Sequence, residues 1–483
     1  MRFVFTFIIA FGLTAEVELA AASALKKPNI VYILADDAGY GDLGCYGQKI
    51  IPTPHLDRLA VEGMKFTRHY AGATVCAPSR CVLLTGLHTG HSRVRGNASG
   101  HVPDTDLTVP KLLKSAGYTT ACFGKFGLGV PLPENDPNKK GFDRFFGYVD
   151  TAHAHNCYPP FLIRDGQRVL LDNKQIPGSE GRFEGTGVAT AGDRKQWAPQ
   201  LIADEMQRWL DERGKETNQP FFLYYALNLP HANNEVMKVK SPLGHGMETP
   251  GYGEFADLDW PDVEKGFASA MRFVDDQVGA VLAKLKTLGL EENTLVLFSS
   301  DNGPHQEGRH QAEFFDSNAG LTGIKRDLTD GGVRVPCIAR WPGSIKAGSV
   351  SGHISGFQDF LPTAAELAGV KMTSASDGIS FVPTLLGKNS RQTEHSYLFW
   401  NFLERGGKQA VLQWPWKLIH LNTGITDASL AKTVMTNTVT AIAREVQLFN
   451  LEVDPAEQTN MAVENPAIVK RLELLMQEAW TTP

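Results

Sequence analysis

Residues 76–80 read Cys-Ala-Pro-Ser-Arg, and both the thiol and the guanidinium of this stretch can do chemistry on an anion. Pro78 suits the first turn of a helix, where the free N–H groups favour negative charge. A thiolate at Cys76, activated by that helix end and by Arg80, is one chemistry open to it. No general base lies beside it in sequence, and the Cys/His/Asn arrangement of a cysteine protease cannot be placed. A buried structural cysteine is the other plain reading.

Two more sets of residues point to the same chemistry. Asp36 and Asp37 close the apolar run NIVYILADD, and Asp301 and Asn302 follow LVLFSS. In open α/β sheets ligands bind outside the carboxyl ends of the strands, which puts both pairs at one edge. Adjacent acids converge on one point only where the chain has begun to turn. Three carboxylates and an amide call for a cation, and an all-oxygen shell selects a hard ion, Ca²⁺ or Mg²⁺. Arg80, Lys125, His231 and Lys325 fall in segments that follow a predicted strand or lead into the next. Together with the metal they predict a pocket for a doubly charged oxyanion, a phosphoryl or sulfuryl group.

These residues need a scaffold of alternating strands and helices. NIVYILADD is continuously apolar, as a strand buried on both faces must be, and TPHLDRLAVEGMKF begins a helix with Thr53 as N-cap and Pro54 in its first position. LTVPKLLKSAG, APQLIADEMQRWLDE, VEKGFASAMRFVDDQVGAVLAKLKTLG and FQDFLPTAAELAG read as helices, with YTTACFG, PFFLYYALN, NTLVLFSSDNG and VPCIARWP as strands. That alternation predicts a doubly wound α/β sheet over residues 25–393. Residues 394–483 change character: SYLFWNF, KQAVLQWPWKLIHL and EVQLFNLEVDP are short aromatic-rich strands, followed by one closing helix. They predict a smaller C-terminal α+β unit. Segments 127–185 and 241–261, rich in Gly and Pro, read as long surface loops.

Composition narrows the partners. A chain of 483 residues with net charge −6 and no basic block is not built around nucleic acid. Arg2 precedes the apolar run FVFTFIIAFGL and small residues follow, so residues 1–24 read as a signal peptide cleaved between Ala20 and Ala24. That run is shorter than the roughly twenty residues a span needs. The mature chain is therefore expected to be exported, periplasmic or secreted, without a membrane span. Cys45, Cys76, Cys81, Cys122, Cys157 and Cys337 show no zinc or disulfide-framework spacing.

Cys76-Ala77-Pro78-Ser79-Arg80 matches the Cys-X-Pro-X-Arg signature of the formylglycine-dependent type I sulfatases, and the chain resembles that family. The resemblance extends through NIVYILADDAGYGDLGCYG, GFDRFFGY, FLYYALNLPHANNE, TLVLFSSDNGPH, GIKRDLTDGGVRVPCIARWPG, DFLPTAAELAG and LFNLEVDPAEQTNMA, and its arylsulfatase and N-acetylgalactosamine sulfatase branch is the nearest in character. It implies an alkaline-phosphatase-like fold, a mixed sheet flanked by helices. It also implies that a maturation enzyme oxidises Cys76 to Cα-formylglycine, and that Asp36, Asp37, Asp301 and Asn302 bind Ca²⁺ with the modified residue. Arg80, Lys125, His231 and Lys325 then hold the sulfate and the modified residue, with His231 or Lys325 as proton donor. The aldehyde hydrate has two hydroxyls: one attacks sulfur, and the other expels sulfate and restores the aldehyde.

One departure stands out. Many sulfatases carry Lys-X-His where this chain reads Lys125-Phe126-Gly127. His153 and His155, in DTAHAHNCYPPF, are candidates for the missing imidazole or for a substrate contact. Asn233, Asn234, Glu307, Arg309 and His310 fall on loops at the expected rim, where polar side chains suit sugar hydroxyls, and Trp197 offers a stacking face. The reading is a sulfuric ester hydrolase acting on a sulfated carbohydrate, such as a galactose or N-acetylgalactosamine sulfate, or on an aryl sulfate. A phosphomonoester, phosphodiester or phosphonate hydrolase of the same fold and a silent glycan-binding homologue are the alternatives.

Overall fold

All eight residues of NIVYILAD are buried, and in the computed structural model they form the central strand β1 (Asn29–Asp36). The structure describes residues 27–97, 100–424, 426 and 445–481, so the expected leader lies outside the described residues. Side chains of β1 alternate between two cores. Val31, Ile33 and Ala35 face one side of the sheet, and Ile30, Tyr32 and Leu34 face the other.

β1 lies between β8 (Phe221–Pro230) and β9 (Thr294–Ser300), and β4 (Thr119–Lys125) and β5 (Arg144–Tyr148) continue beyond β8. These five strands are parallel throughout. The margins are not, so the ten-stranded sheet is mixed. β10 (Cys337–Arg340), from VPCIARWP, joins β9 antiparallel, followed by β2 (Met64–Phe66) and β11 (Ser349–Ser351). At the other margin β6 (Phe161–Arg164) and β7 (Gln167–Leu170) form a hairpin on β5.

That hairpin corrects the expectation of one long loop over 127–185. Its turn is Asp165-Gly166, with φ of 44° and 78°. Asp-Gly is the pair that a two-residue hairpin turn prefers. β7 is mostly exposed, and so lacks the apolar signature of a strand.

Helices cover both faces. α1 (Pro54–Glu62), α4 (Ala198–Gly214) and α5 (Asp262–Thr287) share one core, while α2 (Cys76–Thr85), α3 (Val109–Ser115) and α7 (Phe360–Ala368) share the other. α6 (Asp330–Val333) and α8 (Val382–Leu385) are single turns. α1 starts at Pro54 as expected, but the Thr53 hydroxyl does not cap it. The Asp275 carboxylate of α5 accepts from His55 and Leu56 N–H instead, which ties the two helices together. Thr108 caps α3 in the ordinary way, accepting from Lys111 N–H.

The C-terminal strands β13 (Leu398–Phe402), β14 (Lys408–Gln413), β15 (Trp416–Leu421) and β16 (Glu445–Asn450) form an antiparallel sheet, covered on one face by α9 (Pro466–Glu478). Its other face puts Trp400, Phe402 and Ile419 against Tyr70 and Val75, which precede α2, and against Leu328 and Val333, before and in α6. Lys417 of β15 is fully buried and bonds Asp330 at 2.8 Å and Glu457 at 3.0 Å. Breaking one partner of such a buried set costs on the order of 3–5 kcal/mol. Lys408 donates to the Arg326 carbonyl at 2.8 Å, so this sheet also braces the loop that carries Lys325.

Candidate active site

Four adjacent parallel strands, in the order β9, β1, β8, β4, deliver the site. Ala35 pairs with Ser300, so Asp36 and Asp301 leave the sheet side by side. His231 follows β8 and Lys125 ends β4. Asp37 has φ of 68°, left-handed backbone that Asp tolerates better than most residues. This turn lets Asp36 and Asp37 converge. Beyond Asn302 the chain presses on α6: a Cβ on Gly303 would lie 1.9 Å from the Gly331 carbonyl oxygen. Lys325 N–H bonds Pro304 O at 2.8 Å and Arg326 N–H bonds Thr74 O at 3.0 Å, which holds the Lys325 loop against the entrance to α2.

Cys76 is the first residue of α2, and all ten residues of that helix are buried. No side chain caps it at Val75; Asn97 Oδ1 accepts from Ala77 N–H at 2.9 Å. Ligand atoms of Asp36, Asp37, Cys76 and Asp301 all lie within 4.8 Å of one another. Arg80 Nε bonds Asp301 Oδ2 at 2.8 Å, and Lys125 Nζ bonds Asp36 Oδ2 at 2.7 Å. Lys325 Nζ reaches Asp37 Oδ2 at 2.8 Å, His231 Nε2 at 3.0 Å and Glu307 Oε2 at 3.0 Å.

Electrostatics fixes the proton inventory. Burial pushes the Cys76 thiol well above its ordinary range and Asp36 adds to this, with Lys125 opposing. An unconverted Cys76 is therefore a thiol at neutral pH, which removes the basis for a simple thiolate nucleophile. Burial lowers His231 well below an ordinary imidazole, and the Lys325 ammonium lowers it further. Its Nδ1 lies 2.6 Å from the Ala232 carbonyl oxygen, which puts the imidazole proton on Nδ1 and leaves Nε2 to accept from Lys325. Lys325 stays an ammonium because Asp37 and Glu307 outweigh its burial. Burial and the neighbouring Asp36 raise Asp301 to about 7.

The donor set fits a hard cation. Asp36 Oδ1 and Asn302 Oδ1 are buried and have no hydrogen-bond partner, the first having only the Arg80 guanidinium 3.4 Å away. Buried oxygens without partners are rare, and a metal ion satisfies them. Asn302 Nδ2 donates to Asp37 Oδ1 at 2.7 Å, which turns its oxygen inward.

The other candidates divide. His155 comes to the site: its ring stacks on His231 with centroids 4.3 Å apart and planes at 11°. His153 does not, because its Nε2 bonds Phe161 O at 3.0 Å and its ring packs on Tyr148 and Phe161. Asn233 is fully buried and spends its amide on Gly187 O and Glu248, which braces the loop. His310 is buried under α5, bonded to Glu264 at 2.6 Å and stacked on Phe267 at 3.9 Å. Arg309 turns the loop with φ of 77° and is exposed. Trp197 donates to Glu248 O and packs on Phe273, away from the cluster.

Gly127 is explained by its surroundings. Its φ is 67°, and a Cβ there would lie 3.1 Å from Arg80 Cδ and 3.2 Å from Lys125 Cγ. A side chain at this position would strain the backbone and crowd the two basic side chains.

Two residues escaped the sequence reading in their actual role. Glu307, expected at the rim, is drawn inward, with Oε2 on Lys325 and Oε1 on Arg326 at 2.5 Å. His305 is fully buried on the far side of His231, ring centroids 5.9 Å apart, with Nε2 on Pro230 O. The doubled spacing His305-X-Glu307 after Asp301-Asn302 was the available signal.

Comparison with known proteins gives this geometry its family. The sulfatase family model matches residues 28–370, and the model of the N-sulphoglucosamine sulphohydrolase C-terminal region matches 323–480. N-acetylgalactosamine-6-sulfatase of Rattus norvegicus is 35% identical over 392 residues, covering 76% of this chain and 67% of its own. Arylsulfatase A of Bos taurus is 32% identical over 501 residues, covering 96% and 90%. Among solved structures, Ps i-CgsB in complex with k-i-k-neocarrahexaose superposes with a TM-score of 0.73 at 25% identity, covering 95% of this chain and 94% of that one. Its cluster of strand-end acids and buried bases, together with these matches, makes the chain a member of the sulfatase family and a sulfuric ester hydrolase.

Proposed function

We propose that this enzyme removes sulfate from a sulfated carbohydrate after export, with residues 25–393 as the catalytic domain and 394–483 as a bracing subdomain. The observation that carries the reading is Cys76 at the start of a fully buried helix, within 4.8 Å of three carboxylates and ringed by Arg80, Lys125 and Lys325. A helix start, a metal site and three buried cations concentrate positive charge where an anionic ester must lie. A galactose or N-acetylgalactosamine sulfate is the proposed substrate class, and the rat relative's name points to the second of these.

Asp36, Asp37, Asp301 and Asn302 would hold Ca²⁺, which supplies Lewis-acid stabilisation of negative charge on oxygen. Cys76, once oxidised to Cα-formylglycine by a maturation enzyme, would supply a hydrated aldehyde as oxygen nucleophile. The remaining residues do work that follows from their protonation. Lys125 and Arg80 neutralise Asp36 and Asp301 and keep positive charge beside Cys76. Lys325, held as an ammonium, stabilises charge on the sulfuryl oxygens and is the proton source for the leaving oxygen. His231, neutral with its Nε2 lone pair inward, receives from Lys325, so the choice between the two as donor falls on the lysine.

His155 takes the part of the absent Lys-X-His imidazole. Its Nδ1 lies 3.8 Å from Glu235 Oε2, and neither atom has a hydrogen-bond partner. His155→Ala is expected to lower kcat/KM on an aryl sulfate about tenfold, the worth of one hydrogen bond to a charged group. Unchanged turnover would remove His155 from the site. The whole reading is tested with one preparation. Mass spectrometry of the tryptic peptide containing residue 76 is expected to show the aldehyde, and turnover of aryl sulfate is expected to exceed that of aryl phosphate. An unmodified thiol in active protein, or phosphate preferred over sulfate, would overturn it.

A further inference from the structure

We propose that the cavity beside the β6–β7 hairpin is a second sugar subsite, binding an anionic unit of the same glycan chain whose sulfate ester lies at Cys76. The proposal rests on the sulfatase reading above and deepens it, because it makes the substrate an oligosaccharide or polymer.

The cavity holds about 650 Å³, and Val149, Asp150, Phe161, Arg168, Arg182 and Phe183 form its working surfaces. That volume lies within the range of roughly 300–1,000 Å³ typical of small-molecule sites. Its near wall is continuous with the catalytic centre. Lys125 pairs with Tyr148 across β4 and β5, and Gly127 N–H bonds Val149 O at 2.9 Å. One segment, Val149–His155, therefore lines the cavity with Val149 and Asp150 and then delivers His155 to the His231 ring. Val149, Phe161 and Ile163 belong to the same core as α2, so the cavity and Cys76 lie on one face of the sheet.

Register sets the separation. Gly124 pairs with Gly147, Gly147 with Ile163, and Ile163 with Arg168. Three strand spacings of about 4.8 Å put Arg168 roughly 14 Å from the backbone beside Lys125. β8 and β1 add two more spacings before Asp36 is reached, so the cavity is too far for the sulfate being cleaved and suits a sugar several units along the same chain.

The chemistry selects a sugar that carries negative charge. Arg168 stacks on Phe161 at 4.5 Å, and Glu184 holds its guanidinium through two bonds of 2.5 Å, which fixes the planar fork. Arg182 lies 5.0 Å from the Phe183 ring and has no carboxylate partner among the described residues. The Arg168–Glu184 pair is solvent-exposed. Exposed pairs of this kind add little to stability, so an anionic group can take the place of Glu184 on Arg168, while Arg182 meets it without a carboxylate to displace; Asp150 and Glu184 are the acids of the lining. A guanidinium beside an aromatic face offers fork geometry to a sulfate or carboxylate and an apolar surface to the sugar ring.

The test uses competitive inhibition of para-nitrophenyl sulfate hydrolysis by chondroitin sulfate and carrageenan oligosaccharides, from disaccharide to hexasaccharide. In the wild-type enzyme, inhibition by at least one series is expected to tighten about tenfold with length, as one charge-assisted contact is added. In Arg168→Ala/Arg182→Ala that gain is expected to vanish, while kcat and KM for para-nitrophenyl sulfate and inhibition by the disaccharide stay as in wild type. Length-independent inhibition in both series, or a gain that survives in the double variant, would overturn the subsite. Protein carrying the aldehyde but inert toward para-nitrophenyl sulfate would count against the sulfatase reading instead. The same oligosaccharides in calorimetry, wild type against double variant, then decide the subsite by the same two outcomes.

Discussion

Cys76→Ser protein is expected to release no more than one equivalent of para-nitrophenol from para-nitrophenyl sulfate per chain and then stop, a loss in steady-state rate of more than about 10³-fold relative to converted wild type. Serine preserves an oxygen at the start of α2, within the same ring of Asp36, Asp37, Asp301, Arg80 and Lys125. What it lacks is a second hydroxyl on the same carbon. A sulfated serine has no neighbouring O–H whose deprotonation can expel sulfate, and a water must then attack a buried ester. Mass spectrometry of the residue 76 peptide after incubation is expected to show the sulfated serine. Cys76→Ala is the control and is expected to give neither burst nor adduct. Sustained turnover by Cys76→Ser would rule out a nucleophile that needs two hydroxyls. Protein in which Cys76 is left unconverted is also expected to be inert at neutral pH, because burial and the adjacent Asp36 hold its thiol protonated.

The central strands and the ends they present were legible because their physics is local. Within NIVYILAD and TLVLFSS the runs IVYILA and LVLF are apolar without a break, so they read as strands buried on both faces, and the acids that follow them had to emerge at one edge. The same logic reached Lys125 and His231, one at the end of β4 and one just after β8. Loops are different, since a polar residue's partner there is set by chain segments far away in sequence. Asn233 and His310 read as rim residues, yet Asn233 is spent on Gly187 and Glu248 and His310 on Glu264. Glu307 was misplaced for the same reason, because its partners Lys325 and Arg326 arrive on another loop. Gly127 reads as the loss of one imidazole, with His153 or His155 as its replacement. Its left-handed φ and its contacts with Arg80 and Lys125 make it instead a position where a side chain strains the backbone and crowds two basic side chains, a property of backbone conformation that residue type alone does not reveal.

Lys325→Met is expected to lower kcat/KM for para-nitrophenyl sulfate by about 10³–10⁴, since in the proposed mechanism it removes both a cation facing the sulfuryl oxygens and the proton source for the leaving oxygen. It is also expected to destabilise the fold by on the order of 3 kcal/mol, because Asp37 and Glu307 each lose a buried partner. Glu307→Gln removes a charge from the other side of the pair and leaves Lys325 and Arg326 short of an anion. Thermal unfolding of the two single variants and of Lys325→Met/Glu307→Gln closes a double-mutant cycle. The double variant is expected to be more stable than the sum of the single losses by roughly 1–3 kcal/mol, as neighbours that share a charge are not additive. Activity is expected to behave otherwise. Glu307 is expected to act through Lys325, so once Lys325 is gone its removal costs nothing further, and the double variant should turn over at the rate of Lys325→Met alone. A further tenfold loss in the double variant would mean that Glu307 touches the substrate itself, as an acceptor for a sugar hydroxyl.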